Sequence, residues 1–379
     1  MKRLILALAL IAVPASADID VVRRNYIDYY TAAGAPRSSE RMQKSLSEIE
    51  WAAGHFSQPG WLLSDGSWTD INYLETPSGV WSPSEHVRRV WLMTKAYRTA
   101  GPRHHGDPAK RDHIETALSK EEEFYGAWVI PTGNWWYWTI GVPLELGPAL
   151  VLMRGDIDAQ LYDDLVLAIA WRIGSSPASR GLVGPVPTGQ NLVWSSFNHL
   201  SLALLRDDSV QLSRVRDAMA GVTLPTTGEG VKSDRSFHQH GAQLYTGGYG
   251  GSFAYDVAKY ALLTRGSAYA LPPESMNSFF EFLTDGIAWS LHGSVFDIDV
   301  VEVEGATGKH YAYSVNLLMR RGDQKVAVGV RDDVAGESSF VSRTLRVGTQ
   351  VANVPSLRLY ENCGFRVAES AYVLHGHLA

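Results

Sequence analysis

The 379-residue chain has a single cysteine, Cys363. One thiol excludes an intramolecular disulfide framework, and without a CxxC pair or a Cys/His cluster nothing points to structural zinc or any other metal. No cofactor motif stands out either. No long uncharged apolar run follows the first residues, so a membrane-spanning helix is not expected. Charge of one sign is not in excess: 34 Lys and Arg stand against 40 Asp and Glu, a net −6. That balance excludes binding of polyanions by the whole surface and, with it, a nucleic-acid partner. An acidic ligand needs a local cleft of cations or hydrogen-bond donors instead. No precise sequence repeat is visible, so organisation has to be read from hydrophobic periodicity.

What is present begins with a leader. Met1-Lys2-Arg3, the apolar run Leu4–Val13 and Pro14-Ala15-Ser16-Ala17 form a charged region, a short apolar region and an A-x-A cleavage site. Residues 1–17 are therefore expected to be a signal peptide, and the mature chain, starting near Asp18, to be secreted or periplasmic. Twelve tryptophans and 17 tyrosines are many for this length. Core packing uses such rings, and so does stacking on sugars.

From about Ser38 to His292 the apolar residues recur at helical spacing between Gly, Pro and Asp breaks. The pattern predicts helices over Ser39–Phe56, Ser84–Ala100, Lys110–Tyr125, Val142–Met153, Ala159–Gly174, Asn191–Leu205, Val210–Ala220, Phe253–Arg265 and Pro273–Leu291. Ser84, Asp158 and Pro272-Pro273 read as helix starts. Antiparallel hairpins stacked side by side bury so many amphipathic faces with short connections. After His292 the texture turns to β-branched runs, Val295–Val303, Tyr311–Leu318 and Lys325–Val330, with no clear period beyond about Asp332. The expected organisation is a helical domain over 18–292 and a partial, truncated β domain over 293–379, in a monomer.

Three stretches are richer in polar and aromatic groups than helix connections require: Gly133–Pro143 with Asn134, Trp135, Trp136 and Trp138; Pro187–Leu192 with Asn191; and Ser236–Gly250 with His240 and Tyr249. In the last, a loop, glycines around Tyr249 permit unusual backbone angles and bring the phenol close to a ligand. Each residue also has a plainer reading. His240 and Tyr249 make a structural hydrogen-bonded pair, Asn191 caps a helix, and the tryptophans fill the core or divide between core and cleft.

Together these motifs resemble the polysaccharide lyase family that contains hyaluronate, chondroitin AC and xanthan lyases. The likeness runs from about Trp61 to Val303 and includes Asp65–Asp70 and the Ser84-Glu85-His86 helix start. It implies a mainly α fold: an incomplete α/α toroid of stacked helical hairpins, followed by the start of a β-sandwich. It also implies β-elimination on a uronate-containing polysaccharide. By the resemblance, Asn191 binds the uronate carboxylate, His240 and Tyr249 are catalytic, Trp135 and Trp136 position the polymer, and Asn134 is their polar neighbour. The residue types suit the task. Hydrogen bonds to the carboxylate let charge spread as the C5 proton leaves, and one phenol can act first as base and then as acid. The chain departs from the family pattern: the acidic residue of the later β domain has no identifiable counterpart, and Tyr137 and Thr139 stand where the family's Trp segment commonly continues with acidic residues. The family's Gly-Arg-x-x-x-Arg motif should follow Phe296-Asp297-Ile298-Asp299, where this chain has Val300-Val301-Glu302-Val303-Glu304-Gly305. Arg320 and Arg321 are the nearest substitutes. A glycoside hydrolase is the competing enzyme reading and needs two facing carboxylates, for which Asp65, Asp70, Glu85 and Asp234 are available. A non-catalytic polysaccharide-binding remnant is the third.

Overall fold

The computed structural model describes residues 15–292 and, beyond them, the backbone of strand segments only. The chain divides into two compact units, Met1–Ser314 and Val315–Ala379. The first is mainly helical. Its α-helices are α1 (Ala15–Tyr30), α2 (Glu40–Phe56), α3 (Ser84–Arg98), α4 (Pro108–Tyr125), α5 (Val142–Met153), α6 (Ala159–Ile173), α7 (Gly189–Arg206), α8 (Ser209–Val222), α9 (Gly251–Thr264) and α10 (Pro273–Glu281).

Helix starts follow local chemistry. Ser39 accepts from Met42 N at 3.3 Å, Asp107 from Ala109 N at 3.0 Å and Asp158 from Leu161 N at 3.0 Å, each satisfying a backbone donor the helix leaves free. Pro272-Pro273 opens α10 as expected. Ser84 is no cap: it is the first residue of α3, and its hydroxyl turns back to Trp81 O at 2.7 Å. The run Pro273–Leu291 is not one helix either. α10 gives way at Phe282 to a π-helical turn, Phe282–Gly286, and then to a 3-10 turn, Ile287–Ser290.

Helices close in sequence pack on one another, α2 on α3, α3 on α4 and α5, α5 on α7, α7 on α8. α7 is the central element. Fourteen of its residues are buried, including Gln190, Ser195, Asn198 and His199, and such polar groups survive burial only with partners. Asn198 accordingly donates to Thr139 O and Ile140 O, both at 3.2 Å. The helix α1, for which the sequence pattern predicts no helix, buries Ile19, Val22 and Tyr26 and packs on α8 and α9.

Two short strands, β1 (Gly230–Val231) and β2 (Phe237–His238), pair antiparallel, Val231 facing Phe237, between α8 and α9. Later come β3 (Leu291–His292) with β4 (Val295–Phe296), and β5 (Val301–Gly305) with β6 (Gly308–Ala312), both antiparallel hairpins. In the second unit β7 (Lys325–Asp332) pairs with β8 (Glu337–Thr344) in register from Lys325↔Thr344 to Asp332↔Glu337. β8 lies where the sequence showed no clear period. Arg320, Arg321, Cys363 and most of the expected leader lie outside the described residues.

Candidate active site

Two π-helical turns, each opening an α-helix, carry much of the site. One is Tyr137–Gly141, preceding α5, and the other is Thr246–Gly250, preceding α9. Such bulges re-aim side chains and recur at functional sites.

Tyr249 stands on the second turn, half-buried, and its hydroxyl meets His240 Nε2 at 3.1 Å. The rings lie edge to face with centroids 5.2 Å apart. His240 is exposed and has a φ of +56°, a left-handed conformation uncommon outside glycine and often retained where function needs it. The unusual angles thus belong to His240 and Gly241 (φ +80°), not to the glycines around Tyr249. Gly250 is helical, with φ −65°, and serves close packing: a Cβ there would come 3.0 Å from the Phe237 side chain.

A buried frame holds the His240 loop. Gln239 Oε1 accepts from Gln190 N at 2.9 Å, tying the loop to the first turn of α7. Glu229 accepts from Gln239 Nε2, from Gly241 N at 2.8 Å and from Thr188 Oγ1 at 2.5 Å. One carboxylate therefore fixes both flanks of His240 and the residue preceding α7. Asp256 of α9, nearly buried, accepts from Gln190 Nε2 at 2.7 Å and Trp194 Nε1 at 3.0 Å and pairs with Lys259 Nζ at 3.0 Å.

Asn191 lies two residues inside α7, whose N-cap is Thr188, so it does not cap the helix. Its Oδ1 is shielded from solvent without a hydrogen-bond partner, and such groups are rare unless a ligand or water meets them. Trp194, one turn further along the same face, packs against Tyr249 with centroids 5.8 Å apart. Trp136 meets Trp194 edge to face at 5.6 Å. A continuous aromatic path thus runs from Trp136 through Trp194 to Tyr249.

The tryptophans of the first turn divide. Trp138 is core: 4% exposed, its Nε1 donating to Thr132 O at 2.6 Å, and its ring parallel to that of Tyr125. Trp135 and Trp136 are half-buried. Asn134 holds this segment in place, Nδ2 donating to Ser78 O at 2.7 Å and Oδ1 accepting from Trp136 N at 3.0 Å.

Burial first, then the charges of Tyr245 and Glu229, push the Tyr249 phenol above its usual range. The segment where the family arginines should stand supplies none: residues 301–305 form β5, Val-Glu-Val-Glu-Gly. The carboxylates of the hydrolase reading are spent locally. Asp65 accepts from Ser67 N and Oγ, Asp234 from Ser236 N and Oγ, Asp70 is forked by Arg89, and Glu85 pairs with Arg88. Hydrogen bonds from Arg89 and Ser67 hold Asp70 and Asp65 below the usual carboxylate range, the wrong direction for a general acid.

Among the described residues no group of three or more His, Cys, Asp and Glu side chains is placed to hold a metal, and no helix is long and apolar enough to cross a membrane. Sequence reasoning passed over Trp194, Glu229 and Asp256 and gave Gln239 no role. The only local signal was Glu229 set between Gly228 and Gly230.

The chain is similar to several known proteins. Chondroitinase AC of Pedobacter heparinus is 29% identical over 240 residues, 63% of this chain and 33% of that protein. Hyaluronate lyase of Thermasporomyces composti is 24% identical over 309 residues, 80% of this chain and 38% of the relative. The chain thus spans about a third of the length of these relatives. Chondroitin AC lyase of Streptomyces coelicolor superposes with a TM-score of 0.64 over 73% of this chain and 37% of that one, at 21% identity. Paenibacillus xanthan lyase gives 0.63 over 74% of this chain and 26% of that one, at 22% identity. Both share the fold of the helical part. The model of the N-terminal α-helical domain of polysaccharide lyase family 8 matches residues 32–301, and this chain belongs to that family.

Proposed function

We propose that this chain provides the helical domain of a lyase that cleaves a uronate-containing acidic polysaccharide by β-elimination. The observation that carries the reading is the contact between Tyr249 and His240, at the end of an aromatic path. The relatives' names point the same way, to chondroitin, hyaluronate and xanthan.

In the proposed reaction Trp135 and Trp136 stack on the sugar chain, and Asn191 Nδ2 donates to the uronate carboxylate. Neutralising that charge acidifies the C5 proton. Tyr249 passes its own proton to His240 across the 3.1 Å contact. The resulting imidazolium stabilises the phenolate and offsets the raised affinity of the phenol for its proton. The phenolate removes the proton from C5, the C4–O4 bond breaks as the C4=C5 double bond forms, and the phenol protonates the departing O4. Tyr249 ends as it began the cleavage step, a phenolate beside protonated His240.

The helical hairpins are read as part of an incomplete α/α toroid, with Asn134 positioning the two tryptophans. Export is the proposed location. Cleavage after Ala17 would leave in place the buried Ile19, Val22 and Tyr26 and the Asp18 carboxylate that accepts from Ala268 N at 3.1 Å.

The test is ultraviolet absorbance of products from hyaluronan, chondroitin and xanthan incubated with the protein. Elimination gives a conjugated double bond with each new end. New reducing ends without that absorbance mean hydrolysis, and saturable binding without new ends means a binding protein.

A further inference from the structure

Trp128 is 82% exposed and Trp171 52% exposed, and their rings lie together, centroids 6.4 Å apart and tilted by 43°. Scattered apolar side chains on a surface need no explanation, but two adjoining tryptophans do. Ile130, 82% exposed, follows Trp128 in the same connection, and Leu182 is 40% exposed.

The pair is built rather than incidental. Arg172, fully buried, donates to Tyr125 O at 3.0 Å, Gly126 O at 2.7 Å and Val129 O at 3.1 Å, gripping the chain on both sides of Trp128. Its backbone is the neighbour of Trp171, and its carbonyl accepts from Leu182 N at 2.8 Å. Its guanidinium lies 4.8 Å from the ring of Trp138, on the π-helical turn that follows Trp135 and Trp136. One buried cation thus fixes the connection bearing Trp128 and the helix bearing Trp171 against the aromatic segment of the site.

The chain also connects this surface to that segment. From Leu182 the chain reaches Gly184 (φ +90°), where a Cβ would come 2.4 Å from Trp135 Cε3, so the Trp135 indole lies directly on this backbone. Arg180, exposed and without an ion-pair partner among the described residues, precedes Leu182 by two residues. Flat rings, an exposed arginine and contact with the substrate-positioning tryptophan suit a chain of sugars carrying carboxylates.

We propose that Trp128 and Trp171 form a second polysaccharide-binding platform, an extension of the Trp135–Trp136 site that holds a distant stretch of the same polymer. The proposal rests on the reading of the site as a polysaccharide site. A rigid platform loses little entropy on binding, and its effect grows with polymer length because one chain then engages two places.

The experiment compares wild type, Trp128→Ala, Trp171→Ala and the double variant in binding to long hyaluronan, chondroitin and xanthan and to tetrasaccharides of each. Trp136→Ala serves as the control at the site itself. The double variant should bind the preferred long polymer about tenfold more weakly, with tetrasaccharide affinity and melting temperature unchanged. Unchanged polymer affinity, or an equal loss on tetrasaccharides, overturns the platform. So does a change in sedimentation, which would make the pair a contact between copies of the chain. Long-polymer binding that depends on Trp128 and Trp171 in a protein forming no unsaturated product would sink the elimination reading and leave the platform standing. A wild type that binds none of the polymers sinks both.

Discussion

Replacing Gly189 with alanine should damage fold and site together, because the strain falls on the bond that joins them. Gly189 has φ +52°, and a Cβ there would come 2.3 Å from Gln239 Oε1. The left-handed backbone alone costs an L-residue about 1–2 kcal/mol. Gln239 cannot simply step aside: it is 1% exposed, and its amide is held by Gln190 N on one side and Glu229 on the other. Moving it breaks buried hydrogen bonds, which costs about 1–3 kcal/mol more. The expected loss is about 2–5 kcal/mol in urea unfolding. Because Gln239 precedes His240, the Tyr249 contact should loosen as well, and a misplacement of about 1 Å can cost about a hundredfold in rate. A Gly189→Ala protein within about 0.5 kcal/mol of wild type, a margin typical of inert surface changes, would refute the claim that this approach holds the loop.

Trp138→Ala should cost about 3–5 kcal/mol of folding free energy, as removal of a core tryptophan does. Trp136→Ala should lower stability less and weaken polymer binding more, so affinities and melting curves measured side by side should rank the two in opposite orders. Burial pushes the Glu145 carboxyl up to about 7 from an ordinary value of 4.5. A raised folded-state value favours the protonated form in the native state, so this contribution is fully present below about pH 4.5 and is lost as pH rises through about 7. Glu145 is partly solvated, which trims the effect, so the stability of Glu145→Gln relative to wild type should rise by about 2 kcal/mol between pH 4.5 and 7.5. A flat difference in urea titrations across that range would contradict it.

Helices announced themselves wherever one face is apolar over several turns: Val142–Met153 was read to the residue, and α2, α6 and α9 to within two residues. The reading failed where tertiary contacts decide. Phe282 and Leu283 continue the period of α10, yet the backbone widens into a π-helical turn there, and periodicity does not register hydrogen-bond spacing. β8 pairs with β7 although Glu337–Thr344 shows no clean alternation, since a hairpin partner supplies what the pattern lacks. In the candidate site, His240, Tyr249, Asn191 and the tryptophans could be proposed from the sequence because they sit in compact motifs. Glu229, Trp194 and Asp256 could not, because each acts through partners that only folding brings near, as Asp256 does for Gln190 and Trp194. The glycines around Tyr249 do not supply the unusual backbone angles expected of them, and packing explains Gly250.

The central claim is that the Tyr249 hydroxyl moves the protons of elimination. Tyr249→Phe removes that oxygen and leaves the ring against Trp194, so melting should shift little. Initial rates of unsaturated-product formation from the polymer that wild type cleaves fastest, measured for both proteins under one condition, decide the matter. The account predicts a fall of at least about a hundredfold, because both the proton abstraction and the leaving-group protonation are lost. A well-folded Tyr249→Phe protein turning over near the wild-type rate would contradict it.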